Sequence, residues 1–321
     1  MSSFQTALSA VLPMFIMLSL GYFLRKINMV DDHTLNKMNK LCFKTFLAIS
    51  LYYNIYKADI REVFNGKLIV YAVITQIVIL GISLLAAYPT EKTKKRRGAL
   101  AHGIFHTNFV IFGTLIGTAL CGEGNIGAIS LLIAIIVPVQ NIISVILLEL
   151  FREGGRIELR KVFGGVVTNP YVIAALAGFL TQLLHIQYPD MLSNVFRDLG
   201  RCGTPVALIV MGGLFNFGAV KSNLRSIAVG ILFRLLIVPA ILVPVTVWLG
   251  FCRADFIGLM CIFIAPCATT SFNLASAMDS DADLAAQLVV FTSVCSLGTI
   301  FMWIFITEPD GNLLMKDGFL T

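Results

Sequence analysis

Apolar residues fall in long, nearly unbroken blocks separated by short polar connections. The blocks lie near 4 to 24, 38 to 57, 67 to 88, 99 to 121 and 126 to 150, then near 163 to 184, 196 to 217, 224 to 249, 255 to 277 and 284 to 306. As a helix rising about 1.5 Å per residue, a block of about twenty residues crosses a hydrocarbon core of about 30 Å. The pattern therefore predicts an all-α membrane protein with ten transmembrane helices. A membrane β-barrel would show segments of about ten residues alternating apolar and polar, a pattern foreign to these blocks. The connections leave no room for a separate soluble domain of ordinary size, so any function is built inside the bundle.

The blocks divide into five and five: a first repeat over 1–150, a short cytoplasmic linker over 151–162 and a second repeat over 163–321. Because five crossings is an odd number, the second half enters the membrane with opposite orientation. Such inverted repeats are a recurrent plan of secondary transporters, whose substrate site lies near the midplane where interrupted helices meet.

Composition agrees with the blocks. The chain of 321 residues is 57% hydrophobic and 13% charged, against roughly 45–50% and about 25% in soluble domains, which excludes an ordinary soluble enzyme. The net charge of +6 comes from loop cations and sets topology; it does not point to a nucleic-acid partner. Loops after spans one, three, five and seven hold Arg25 and Lys26; Lys92, Lys94, Lys95, Arg96 and Arg97; Arg152, Arg156, Arg160 and Lys161; and Lys221 and Arg225. The opposite side has Lys57, Arg61, Lys67, Arg197, Arg201, Arg253 and Lys316. The positive-inside rule then predicts a multi-pass protein of the cell membrane with both termini outside the cytoplasm. The basic run 92–97 has a second reading, attraction of anionic lipid. The first block lacks the positive leader of a signal peptide and reads as a retained span. Seven scattered cysteines without a C-x-x-C pair imply neither a disulfide framework nor a metal site.

Spans four and nine are interrupted at matching positions. His106-Thr107-Asn108 precedes Gly113, Thr114, Gly117 and Thr118; Pro266 precedes Thr269, Thr270, Ser271 and Asn273; short acidic connections, 122–125 and 279–281, follow. A broken span frees backbone groups that lipid cannot satisfy, so it is tolerated only inside protein or beside a cavity. Half-helix starts carry partial positive charge suited to a carboxylate. Asn108, Thr107, Ser271 and Asn273 are the neutral candidates for binding an anion, with Gly113 and Pro266 as the break or hinge positions. The small residues have a second reading as close helix packing. Two cations lie inside spans: Arg234 either draws in an anion or bonds carbonyls, and Lys44 either does the same or extends to the interface. His102 and His106, spaced i, i+4, make His106 a candidate for proton coupling; no third ligand suggests a metal. Catalytic, nucleotide-binding and cofactor motifs are missing, which predicts gradient-driven transport and no enzyme activity or cofactor.

Several stretches together resemble the auxin efflux carrier family, which includes the plant PIN-formed carriers and bacterial relatives. They are Val11 to Phe15 running into Gly21 to Lys26, Leu35 to Leu41, Asn108 to Gly113, Thr168 to Ala174, Arg234 to Pro239, and Ala265-Pro266 with the Ala-rich segment after Asp281. The resemblance covers essentially the whole chain and rests on the order and spacing of these stretches. It implies a ten-helix inverted-repeat fold like that of bile-acid symporters and sodium/proton antiporters. Spans one, two, six and seven would form a scaffold, and three to five with eight to ten a transport domain containing crossed, broken helices four and nine. It further implies organic-anion substrates (auxin, malate or malonate), a homodimer as in plant members, and Asn108 as the carboxylate-binding residue. Where the plant carriers place a proline in each broken helix, this chain has Leu115 and Ser271, and their long loop between spans five and six is absent. The expected function is secondary transport of a small organic anion across the bilayer by alternating access. A sodium-coupled symporter of the bile-acid type and a channel or non-transporting sensor are the alternatives.

Overall fold

A computed structural model describes residues 3–57, 65–121, 127–153, 164, 167–251 and 253–307. Every regular element among them is helical, and the extended pairing is an isolated antiparallel bridge between Thr107 and Cys267. In chain order the helices are α1 (Ser3–Lys26), α2 (Asp32–Leu41), α3 (Ala48–Lys57), α4 (Gly66–Thr90), α5 (Lys94–Phe105), α6 (Phe109–Cys121) and α7 (Gly127–Leu150). Then come α8 (Pro170–Leu183), α9 (Asp190–Arg201), α10 (Gly203–Leu214), α11 (Val220–Ile231), α12 (Val238–Trp248), α13 (Arg253–Ile264), α14 (Thr270–Ala277) and α15 (Ala282–Thr307). π-helical turns at Cys42–Leu47 and Leu232–Ile237 join α2 to α3 and α11 to α12.

Helical structure falls on each apolar block, but the blocks differ. Among the described residues, α4, α7, the composite Phe217–Trp248 and α15 are long and apolar enough to cross a membrane by themselves, and α6 and α8 are shorter apolar helices. Block one is a single helix, α1, whereas interruptions divide blocks four, seven and nine into pieces. The acidic connection 122–125, most of the linker 151–162, the cations Arg61, Arg156, Arg160, Lys161 and Lys316, and the tail beyond 307 lie outside the described residues.

Starts of helices follow local chemistry. Asp31, Asn65 and Thr93 accept hydrogen bonds from the backbone N–H groups of Thr34, Leu68 and Arg96, and Asn169 accepts from Tyr171 ahead of Pro170 in the first turn of α8. These are the N-cap and first-turn residues that supply acceptors to otherwise orphaned donors. Small residues set the tightest crossings. Gly21 of α1 lies against the Ile209 carbonyl of α10, and Gly212 of α10 against the Leu18 carbonyl of α1, so a side chain at either would collide with backbone. This is close packing of the kind glycine allows. α8 packs likewise on α3, with Gly178 against Ile55.

Two groups of loops gather at opposite ends. At one, Arg96 bridges Glu91 at 2.6 Å and Asp281 at 3.3 Å, Lys95 bridges Asp279 at 2.8 Å, and Arg25 donates to the Gly213 carbonyl at 3.0 Å. Burial pushes the Glu91 carboxyl up, but hydrogen bonds from Arg96 and Ser226 and the charges of Arg96 and Arg225 outweigh it and hold its pKa below the ordinary carboxylate value. At the other end Asn65 donates to Asp255 at 2.8 Å, and Tyr52 meets Tyr188 and Thr181. The described residues of the connections after blocks one, three, five, seven and nine share the first end, and those after two, six and eight share the second.

Candidate functional site

The two interruptions meet. α5 stops at Phe105, and His106 to Asn108 run extended before α6 begins; α13 stops at Ile264, and α14 begins at Thr270. The extended stretches lie antiparallel. The Asn108 N–H donates to the Pro266 carbonyl at 2.9 Å, and the Ala268 N–H donates to the His106 carbonyl at 2.9 Å. The Cys267 N–H donates to Thr292 Oγ1 at 3.1 Å. Each break thus supplies partners for groups that the other has removed from its helix, which is what an unwound segment away from water requires.

Carbonyls at the ends of α5 and α13 converge on one side chain. Arg234, fully buried, donates from Nε to Ala265 at 2.9 Å, from Nη1 to Ile104 at 3.1 Å, and from Nη2 to Ile262 and Phe263 at 2.6 and 2.7 Å. Four of the five guanidinium N–H groups are therefore spent on helix ends, where a cation also complements the helix dipole. Arg234 stands in the π-helical turn 232–237, the kind of local widening that redirects a side chain within a helix.

On the opposite side of the crossing the first turns of α6 and α14 open onto a cavity of about 110 Å³. Asn108, Val110 and Ile111 line it from the first break, Thr269 and Thr270 from the second, Ser50 and Asn54 from α3, Asn141 from α7, Tyr171 from α8 and Thr204 from α10. Among these, Asn108 Nδ2, Asn141 Oδ1 and Tyr171 Oη are buried without a hydrogen-bond partner. Leaving such groups unpaired costs about 1–3 kcal/mol each, so the cavity is lined by groups with unused hydrogen-bonding capacity for water or a polar guest. The lining carries no charged side chain, and two helix N-termini supply its positive potential.

The residues singled out in the sequence separate clearly. Asn108, Thr107 and His106 all line the cavity. Thr107 Oγ1 also contacts Gln140, whose Nε2 donates to Gln76 at 2.9 Å, a buried polar chain running from the crossing toward α4. Pro266 sits at the break and offers its carbonyl to Asn108. Ser271 and Asn273 are buried behind the crossing and do not line the cavity: Ser271 Oγ is 3.5 Å from His106 Nδ1, and Asn273 reaches the Thr269 carbonyl at 3.5 Å. His106 Nδ1 also faces His102 Nε2 at 3.2 Å.

Three residues that carry two readings in the sequence take positions matching the second. Lys44 is exposed and away from the cavity, consistent with extension to the interface. Gly113 is no break: it lies within α6, where the Phe109 ring occupies the space a side chain would need. Arg234 does not face the cavity either, because its guanidinium is turned to the helix-end carbonyls. Asn141, Tyr171, Gln140 and Gln76 join this region only through the fold, although the Gln140-Asn141 pair in an otherwise apolar block is a visible signal.

A family model described as membrane transport protein matches residues 6–168 and 158–304, which together span most of the chain. Comparison with the curated proteins finds no match.

Proposed function

The chain belongs to the membrane transport protein family, the family of the auxin efflux carriers, and on that premise we propose that it is a secondary carrier for a small organic anion, working by alternating access. The observation that carries this reading is the unpartnered Asn108 amide nitrogen, held at the mouth of a half-helix in a cavity with the unpaired Tyr171 hydroxyl. A carboxylate there would accept from Asn108 and Tyr171 and face the positive ends of α6 and α14. The small volume favours a short mono- or dicarboxylate over an indole acid, since pockets for drug-sized ligands run to about 300–1,000 Å³.

The ten apolar blocks then cross the membrane as two inverted repeats. Supporting this, α1 pairs with α10 as α8 pairs with α3, and α5 packs on α15 as α13 packs on α7. The grouping of odd-numbered connections at one end and even-numbered ones at the other fits the same topology, with the cation-rich end in the cytoplasm and both termini outside. The cavity lies between blocks two, six and seven on one side and four, five and nine on the other, where sliding of a transport domain against a scaffold would expose it alternately. His106, beside Asn108 and hydrogen-bonded within a histidine pair, is the group proposed for proton coupling.

The test is uptake in proteoliposomes of labelled short mono- and dicarboxylates and an indole acid, with pH, sodium and voltage gradients imposed separately. Saturable, counterflow-competent uptake of a short carboxylate is expected, driven by the pH gradient. Conductance without counterflow would make the protein a channel, and strict dependence on sodium would replace the proton-coupled reading.

A further inference from the structure

A second site lies away from the crossing. Between α4 and α7 runs a groove of about 560 Å³, walled by apolar side chains including Ile77, Leu84, Ile143 and Leu147, with Lys94 and Arg97 at one end. The apolar part runs from Ile77 to Tyr88, a length of about 16 Å at 1.5 Å per residue. This is about half of a ~30 Å hydrocarbon core and so the depth of a single leaflet. Ile77 and Tyr88 are exposed at its rim. Arg97 is held at the mouth, its Nε donating to the Glu91 carbonyl at 2.7 Å and its guanidinium lying 4.9 Å from the centre of the Tyr88 ring.

We propose that this groove binds one anionic phospholipid from the leaflet on the Lys94 side, an acyl chain lying between α4 and α7 and the phosphate between Lys94 and Arg97. An acyl chain matches the apolar walls and their one-leaflet length, and cations at one end only match a single phosphate. A zwitterionic lipid would bring its own ammonium group toward the same two cations, so the site selects for net negative charge. The occupant touches the two helices that carry Gln76, next to Ile77, and Asn141, two residues before Ile143, but its binding does not depend on the transport reading.

A Leu84→Trp reporter tests this in the full-length protein reconstituted with phosphatidylglycerol or phosphatidylcholine brominated on the acyl chains, after subtracting quenching of Trp248 and Trp303 in the parent. Brominated phosphatidylglycerol should quench the reporter at lower mole fraction than brominated phosphatidylcholine. Lys94→Gln should reduce that preference by about fivefold, the worth of one surface cation near anionic lipid, and adding Arg97→Gln should remove it. Because Arg97 also holds the Glu91 carbonyl, high salt applied to the reporter protein with both cations intact provides the second measurement, and it should erase the preference too. Equal quenching by the two lipids, or a preference surviving both substitutions and salt, overturns the proposal. So does displacement of phosphatidylglycerol by millimolar inorganic phosphate, which would make the site one for a free anion.

Discussion

The two breaks at the crossing use the same backbone device and divide the remaining work. Each ends one half-helix on Arg234, runs extended for a few residues and starts another helix at the cavity. In the proposed carrier the first break carries the chemistry, with polar His106, Thr107 and Asn108 in sequence and an amide nitrogen that has no partner among the described residues. The second carries geometry, with Pro266, Cys267 and Ala268 contributing mainly a carbonyl and N–H groups to the ribbon. A transporter needs both: a site open to a guest, and a break that stays broken when the guest leaves.

The largest effect should come from what the breaks share. Arg234→Met would leave the Ile104, Ile262, Phe263 and Ala265 carbonyls buried without their donor, at about 1–3 kcal/mol each. Loss of monodisperse protein in detergent or a steep fall in unfolding temperature is expected, with Arg234→Lys rescuing only part because a point charge cannot span both helix ends. A methionine variant that unfolds within a few degrees of the parent would show that the breaks do not depend on this brace.

Next in size is the chemical half. Asn108→Ala removes no bond from its amide nitrogen within the protein, so thermal stability should hardly change, whereas carboxylate uptake should fall by about ten- to a hundredfold, the worth of one hydrogen bond to a charged group. Unchanged uptake in a well-folded variant would remove Asn108 from the site.

The smallest effect belongs to the geometric half. In Pro266→Ala the carbonyl to Asn108 and the brace both persist, while the ring's backbone restriction is lost and one buried N–H is added. Transport should slow by about two- to fivefold, in line with ~0.4–1 kcal/mol for such a change. If this variant lost as much transport as Asn108→Ala in the same uptake measurement, the division between chemistry and geometry would fail.

Much of this was readable from the chain, and the exceptions are physical. Asn108 stood out because an amide in an apolar block is costly without a partner. Arg234 stood out for the same reason, but nothing in its neighbourhood in sequence named Ile104 and Ile262 as its partners, 130 and 28 residues away. Gly113 looked like a breaker because glycine is ambiguous in a helix; only the Phe109 ring lying against it shows that the position serves packing. The first break has no proline at all. Its extended backbone exists because residues 266–268 offer it a partner, and that partner is not local.

By itself, the sequence determined that the protein is helical and belongs in a membrane, where its polar interruptions fall, and which end of the bundle carries the positive charge, because these follow from transfer energies summed along a chain. Tertiary structure decided that two interruptions face each other, that a buried cation braces backbone instead of lining a path, and that Asn141 and Tyr171 join Asn108 around one cavity. Those outcomes depend on hydrogen-bond partners brought together from distant parts of the chain, which no local periodicity encodes.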